Sequence, residues 1–259
     1  MLVPMRIATW NVNSIRAREP RVLPWLEEHR PEIVCMQETK VVDDDFPREP
    51  IEELGYNVET YGQKTYNGVA ILSKEPMSDV RRGLPGDGDD DDRRVISATI
   101  GDLQVVNVYV VNGKTVGSDK YKFKLEWLGR LRDYLASEFD VQQPLVLCGD
   151  FNITFDDRDV WDPALWHEKI LCSTPEREAL GGLIDLGLHD AFRKFHEDAG
   201  HHTWWDYRML GYQKKQGLRI DHHLVSEPLL ERTTDVTVDR EARKGKKPSD
   251  HAPVILTTA

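Results

Sequence analysis

The sequence is poor in the features that would assign it quickly. Only three of its 259 residues are cysteine. Cys35, Cys148 and Cys172 are scattered, without the spacing of a metal site or a disulfide framework. They are expected to be buried thiols in a reducing compartment, which points to a cytoplasmic protein. No apolar run approaches the roughly 20 residues of a membrane span, so no membrane partner is expected. Residues 1–6 lack the basic-then-apolar order of a secretion signal, and Met5 would serve as a start because the first strand begins at Arg6. There is no linker, no repeat and no low-complexity stretch beyond a short Asp run. Positive charge is also scarce: 34 Lys and Arg face 45 Asp and Glu, a net charge of −11. That argues weakly against a nucleic-acid partner, although net charge is not local charge. Much of the acid lies in residues 87–92, which read as a solvated loop.

What is present is a set of short apolar runs that end in polar residues. The clearest is Pro144-Leu145-Val146-Leu147-Cys148-Gly149-Asp150-Phe151-Asn152. Its Leu- and Val-rich centre reads as a strand buried on both faces. Asp150 and Asn152 emerge at its carboxyl end, where α/β folds place ligands. Two apart in extended chain, they share a side. They offer an acceptor-only carboxylate and an amide that both donates and accepts, a pair suited to a water, a metal or a phosphate. Taken alone the pair reads as a turn; the other strand ends give it weight.

The pattern recurs along the chain. Residues 6–10 read as a strand ending in Asn11-Val12-Asn13-Ser14. Residues 15–30 carry helical spacing, with Val22, Leu23 and Leu26 on one face and Pro31 closing it. Residues 32–36 form a second buried strand, followed by Gln37-Glu38-Thr39-Lys40. A helix end at 51–54 and a strand at 68–73 come next. Residues 95–100 and 103–111 make a hairpin about Gly101-Asp102, and its second strand carries Tyr109 ahead of Asn112. Residues 118–139 are the best helix, capped by Ser118, with Leu125, Leu128, Leu131 and Leu135 at helical spacing. Thr174-Pro175 opens another, to about 186, with a short helix over 188–196. An aromatic stretch at 201–207, a strand at 218–225, a basic loop at 244–248, and a turn and strand at 249–256 complete the chain. One α/β domain spanning 1–259 is predicted, with sheets at the centre and helices outside.

If the sheets bring the strand ends together, Asn11, Glu38, Tyr109, Asp150, Asn152, Asp221, Asp250 and His251 meet. Four carboxylates with few Lys or Arg beside them would repel and raise one another's pKa. A cation removes that cost, and all-oxygen ligation suits magnesium or manganese rather than zinc. The reaction that fits is phosphate-ester hydrolysis, in which a metal offsets the phosphate's charge. Asp150 would orient or deprotonate water. His251, partnered by Asp221, would stay protonated and hydrogen-bond a phosphate oxygen. Asn152 adds a neutral donor, and Tyr109 would contact the leaving oxygen.

Five ordered motifs carry a resemblance: Trp10-Asn11-Val12-Asn13-Ser14-Ile15-Arg16-Ala17, Gln37-Glu38-Thr39-Lys40, Gly149-Asp150-Phe151-Asn152, Gly217-Leu218-Arg219-Ile220-Asp221 and Ser249-Asp250-His251. In this order they resemble the exonuclease III family of bacterial apurinic/apyrimidinic endonucleases, within the endonuclease/exonuclease/phosphatase superfamily. The resemblance runs from Arg6 to the carboxyl end. It implies a four-layer α/β sandwich, with two mixed β-sheets packed face to face and helices on both outer faces. It implies a DNA-repair nuclease dependent on Mg2+, with Mn2+ able to substitute. Such an enzyme cuts 5′ to abasic sites in double-stranded DNA and acts as a 3′–5′ exonuclease and 3′-phosphodiesterase. Its partner is duplex DNA, especially with abasic sites or blocked 3′ ends, and the chain is expected to be a monomer.

Residue roles follow from the same resemblance. Glu38 is the main metal ligand, with Asn11 and Asp250 nearby, and Asp150, Asn152 and His251 hold a second or shifted metal. Asp150 is the catalytic acid/base, Asn152 a phosphate contact, Asp221 the partner of His251, and Tyr109 the active-site tyrosine. The DNA-facing surface includes Asn13, Arg16, Lys40, Asn112 and the segment 114–124. Trp204, Trp205, Leu218 and Ile220 wall a pocket for an extruded baseless sugar. The chain departs from the family at Val111, where Pro is common, and at Leu218, where some relatives have Trp; the second makes the pocket wall smaller. Two other readings use the same fold. One is a catalytically silent nucleic-acid-binding regulator; the other is a phosphatase acting on a non-nucleic-acid phosphoester. The stretches 10–13 and 204–207 follow the DNA-repair branch, and all the expected catalytic residues are present.

Overall fold

Strand alternation decides the architecture. The computed structural model describes residues 4–88 and 91–259. Asp89 and Asp90, within the acidic run expected as a loop, lie outside the described residues. The first elements are β1 (Arg6–Asn11), α1 (Ile15–His29), β2 (Ile33–Gln37), α2 (Arg48–Glu52), β3 (Asn57–Tyr61) and β4 (Val69–Ser73). Next come β5 (Met77–Arg82), β6 (Val95–Ile100), β7 (Leu103–Tyr109), α3 (Asp119–Glu138), β8 (Leu145–Asp150) and α4 (Pro163–Trp166). The last are α5 (Thr174–Ile184), β9 (Leu188–Asp190), β10 (Asp221–Ser226), α6 (Glu227–Arg232), β11 (Thr233–Val238) and β12 (Val254–Thr258).

The strands form two six-stranded sheets, β11-β12-β1-β2-β4-β3 and β5-β6-β7-β8-β10-β9. Successive side chains on a strand point to opposite faces, and here both faces are covered. Ile7, Ile33, Cys35, Val69 and Ile71 of the first sheet meet Ile96, Val105, Val146, Cys148 and Val225 of the second between the sheets. Their neighbours Ala8, Val34, Met36 and Leu72 point outward, under Val22, Trp25 and Leu26 of α1. Val106, Leu145 and Leu147 point outward on the other side, under Trp127, Leu128 and Leu131 of α3 and Leu180 of α5. The result is helix, sheet, sheet, helix: the four-layer sandwich that was expected. Double coverage also explains why β2, β4 and β8 read as unbroken apolar runs instead of alternating ones. All three cysteines are buried and unpaired. No helix among the described residues is long and apolar enough to cross a membrane.

Three boundaries differ from expectation. Residues 188–196 are not a helix: Leu188 and Asp190 pair with Ser226 and Leu224 of β10, and only Ala191–Lys194 form a 3-10 turn. The strand expected from 218 begins at Asp221, because Leu218 bridges instead to Val160 and Trp204. The hairpin's second strand stops at Tyr109, not 111. In each case a tertiary partner overrides local propensity.

The topology also places the polar strand ends together. β1 runs parallel to β2, and β7 to β8, so the carboxyl ends of each pair lie at one edge of its sheet. β10 is antiparallel to β8 with Asp221 opposite Asp150, so its first residue joins the last residue of β8. β12 is antiparallel to β1, which brings the residues leading into it beside Asn11.

Candidate active site

At the end of β8 the backbone can pass only because residue 149 is glycine. Its φ is +147, and a Cβ there would stand 1.9 Å from the Val108 carbonyl oxygen. Asp150 follows, buried, and its Oδ1 accepts the Asn152 backbone N–H at 2.9 Å. Asn152 is left-handed at φ 50, which asparagine tolerates better than most residues. Its amide donates to the Val110 carbonyl at 3.0 Å and accepts from Asn112 at 3.0 Å. Glu38 and Lys40, just past β2, are left-handed too, at φ 53 and 56. Neither residue type favours that region, so the surrounding contacts hold them there.

Asn11 bridges the two sheets: its Nδ2 donates to Glu38 Oε1 at 2.8 Å and to Asp150 Oδ2 at 2.9 Å. His251 Nδ1 lies 2.9 Å from Asp221 Oδ2, and its Nε2 lies 3.7 Å from Asp150 Oδ2. Asp221 is braced by the Thr203 hydroxyl at 2.6 Å. Asp250 accepts from Asn13 at 2.9 Å and from the Trp204 indole at 3.0 Å. Glu38, Asp150 and His251 each present a ligand atom, all within 4.8 Å of one another. The Glu38 and Asp150 carboxylates are hard oxygen donors, which fit a magnesium- or manganese-type cation; the Asn11 amide turns its nitrogen to them, and its Oδ1 accepts the Asn13 backbone N–H at 3.0 Å.

Burial pushes the Asp150 carboxyl up to about 7, and the nearby Asp221 and Glu38 charges add to it against the pull of His251 and Asn11. Burial alone would lower His251, but Asp221 and Asp150 outweigh it and raise the imidazole to about 10. Glu38 is held below its ordinary value despite burial, by Lys40 and Asn11. Burial raises the Tyr109 phenol well above its usual range, reinforced by Glu38 and Asp150. The site is less short of cations than expected: Lys40 Nζ sits 2.6 Å from Glu38 Oε2.

The eight residues expected at the strand ends therefore meet in one place. The expected DNA-facing set divides. Asn13 and Lys40 join the site's own network, with Lys40 donating to Asn13 at 2.6 Å. Arg16 is exposed and paired with Asp45 at 3.0 Å, and Asn112 is exposed beside Asn152. The expected pocket wall needs correction. Trp205, Leu218 and Ile220 are buried; Leu218 and Ile220 pack with Val160, Leu171 and Cys172, and only Trp204 is partly open. The segment 114–124 is corrected at its end as well, because Lys124 is fully buried.

Lys124 is one of the residues that sequence reasoning missed as part of the site. Its Nζ donates to the Asn152 carbonyl at 2.7 Å and the Asn112 carbonyl at 3.3 Å, and it pairs with buried Glu176 at 2.5 Å. All three donors of the ammonium are used, and two of them fasten the loops after β7 and β8 to α3. Asn107 is another. Its amide donates to the Met36 and Ala70 carbonyls of the opposite sheet, each at 2.9 Å. The only signal either gave was a polar residue on an apolar face, Lys124 among the leucines of α3 and Asn107 among the valines of β7.

Comparison with known proteins agrees with this geometry. The family profile described as "Endonuclease/Exonuclease/phosphatase family" matches residues 8–251. Exodeoxyribonuclease III of Haemophilus influenzae is 38% identical over 262 residues, covering 96% of this chain and 98% of that protein. Among solved structures, a 3′ phosphatase, NExo, from Neisseria, bound to product DNA hairpin, superposes with a TM-score of 0.95 at 45% identity, covering 98% of this chain and 99% of that one. An AP endonuclease from Archaeoglobus fulgidus gives 0.94 at 40% identity, with the same coverage.

Proposed function

The chain belongs to the endonuclease/exonuclease/phosphatase family and is a hydrolytic nuclease of DNA repair, and from that premise we propose that it uses Mg2+ to cut 5′ to abasic sites in duplex DNA and to trim blocked 3′ ends. We further propose that it works as a one-domain monomer in the cytoplasm. What carries the reading is the meeting of Glu38, Asp150 and His251 within 4.8 Å at the ends of strands from both sheets.

In this reading Glu38 would hold the ion, with Asn11 and Asp250 nearby, and the ion when bound would supply Lewis-acid stabilisation of the charge that develops on the phosphate. Asp150, with its carboxyl near neutrality at about 7, accepts the proton of the attacking water. His251 remains an imidazolium through the neutral range and donates from Nε2 to a phosphate oxygen, a charge-assisted bond stronger than a neutral one. Asp221 takes Nδ1 and so fixes the ring's orientation. The Asn152 amide, which keeps one N–H on the Val110 carbonyl, would turn the other from Asp150, 3.3 Å away, to the phosphate as a neutral donor. Tyr109, kept as a phenol, donates to the leaving oxygen.

The test is cleavage of an abasic duplex by protein stripped with a chelator. No cutting is expected until Mg2+ or Mn2+ is restored, and Glu38→Ala should lose most of the restored rate. Equal cutting with and without divalent ion overturns the reading. Recessed and nicked duplexes then measure 3′ trimming against internal cutting.

A further inference from the structure

In three strands the face between the sheets changes from apolar to polar just below the reacting centre. Side chains two apart on a strand share a face. On that face Ile7 is followed by Thr9 and Asn11, Cys35 by Gln37, and Val105 by Asn107 and Tyr109. Thr9, Gln37 and Asn107 are fully buried. They form a polar layer between the apolar core and the catalytic residues. Burying polar groups is unfavourable unless each finds a partner, and an apolar layer would have avoided that cost.

The bonds of this layer cross from sheet to sheet. The Asn107 amide straddles two paired strands of the opposite sheet. It donates one N–H to the Met36 carbonyl of β2 and the other to the Ala70 carbonyl of β4, each at 2.9 Å. That orientation leaves its Oδ1 free to accept, and Gln37 Nε2 donates to it at 2.7 Å. Gln37 Nε2 also meets Thr9 Oγ1 at 2.9 Å and the Cys35 carbonyl at 3.1 Å. Asn107 therefore grips β2 at Met36 and Gln37, the two residues before Glu38. Its own strand ends two residues later in Tyr109, which stands opposite Asp150. Apolar contacts hold the sheets together but are non-directional, so they tolerate sliding. Hydrogen bonds with fixed donors and acceptors do not. Glu38 rides on the first sheet and Asp150 on the second, with ligand atoms within 4.8 Å. A magnesium-type ion demands oxygens at about 2.0–2.1 Å in a near-octahedral array, so a small slip between the sheets would spoil its site.

We propose that Asn107 is a positioning residue of this site: through Gln37 and the Met36 and Ala70 carbonyls it sets the separation at which the two sheets hold Glu38 and Asp150. The proposal rests on the nuclease reading, and its test keeps the two apart. Asn107→Leu is combined with Gln37→Met, so that both partners become apolar groups of similar size, which a buried layer accepts better than the loss of one. Val105→Ala, two residues earlier on the same strand and face, is the control: it weakens the core without touching the crossing bonds. Thermal melts compare the stability of the two. Mn2+ binding to DNA-free protein is followed by electron paramagnetic resonance of the free ion, and KM and kcat are measured on an abasic duplex. The double variant is expected to bind Mn2+ about 10- to 100-fold more weakly, as loss of a group that orients metal ligands does. Its kcat should fall about 100-fold, with KM close to the parent's. The Val105→Ala protein should keep parental Mn2+ affinity and kcat. Should the double variant not fold, Asn107→Ser, too short to reach the opposite carbonyls, is read in the same way. Parental Mn2+ affinity and kcat in the folded variant, or equal losses in Val105→Ala, overturn the proposal. A parent that never cuts duplex, but whose Mn2+ affinity weakens in the double variant alone, would overturn the nuclease reading and leave the positioning role standing.

Discussion

Asp150 sits under opposed demands. It is buried, which favours the neutral acid, and it faces His251, which favours the carboxylate. The outcome, near 7, is what a group that must accept a proton at neutral pH requires. Asp150→Asn keeps the shape and removes the base, so cleavage of an abasic duplex should fall by about 100- to 10,000-fold, the usual worth of acid–base catalysis, in a protein that melts like the parent. His251→Ala removes a charge-assisted contact, so it should weaken phosphate binding as well as slow cleavage, and a steady-state comparison of KM and kcat reads both. An unaltered rate in Asp150→Asn would count against its role as base; parental kinetics in His251→Ala would make the ring a structural group. These residues were legible in the sequence because each lies in a short contiguous motif whose polar members cannot be explained by burial alone. Trp205, Leu218 and Ile220 sit in equally recognisable motifs, yet their burial was not legible. For Leu218 and Ile220 it depends on Val160, Leu171 and Cys172, which arrive from another segment.

Among the elements, α3 does more than cover a sheet. Leu128, Leu131 and Leu135 face the second sheet, as their spacing required, whereas Leu125 is only half-buried; Lys124 reaches past them to two loop carbonyls. Removing one partner of a buried pair is costly, about 3–5 kcal/mol, whereas replacing both with apolar groups of similar size is often nearly neutral. Lys124→Met alone should therefore destabilise the protein. Lys124→Met combined with Glu176→Gln, which removes the charge and keeps an acceptor for the Ser173 N–H and hydroxyl, should recover much of the denaturant midpoint but leave the Asn152 carbonyl unheld. If Lys124 positions Asn152, the double variant cleaves about 10- to 100-fold more slowly, as small misplacements do, with KM close to the parent's. Recovery of kcat along with stability would make the pair a packing feature only. The edge strands β5 and β9, and β11 and α6, were not visible as elements. Their faces are partly exposed, so no strong apolar period marks them, and pairing with an inner strand is what holds the three strands.

For the molecule as a whole, the interior sets a pH limit. His223 is buried on β10, and burial lowers its pKa to about 3; His202 is lowered to about 4, by burial and then by Arg240. Both stay neutral in the folded chain at pH values where the unfolded chain takes up protons. The unfolded state thus binds more protons below about 6.5, and stability falls as pH drops through that point. Each such histidine removes roughly 2 kcal/mol between pH 6.5 and 5. Asp150 and His251, both raised in the folded chain, act in the opposite sense, so the test is a difference. In urea titrations the His223→Gln protein should lose less stability than the parent between pH 7 and pH 5, by roughly 2 kcal/mol. Equal pH sensitivity in that variant would mean the charge is accommodated. Asp159 acts at a lower range. Burial would raise it, but Arg219 holds it at about 2; its contribution is complete above its ordinary value and fades as pH falls toward 2.

The sequence by itself determined the layers and the chemistry. Double-sided apolar runs require two covered faces, and the polar residues at their ends have no place in the core. Only the tertiary structure decided which of those residues meet, and what stands around them. Strand order and direction set Asp221 opposite Asp150 and bring His251 beside both, and they set Asn107 against two carbonyls of the opposite sheet. The reason is physical. Burial and periodicity act over a few residues and leave a local trace, whereas a carboxylate's pKa, a lysine's partner and a loop's neighbour are set by groups tens to hundreds of residues away, whose positions exist only once the sheets have packed.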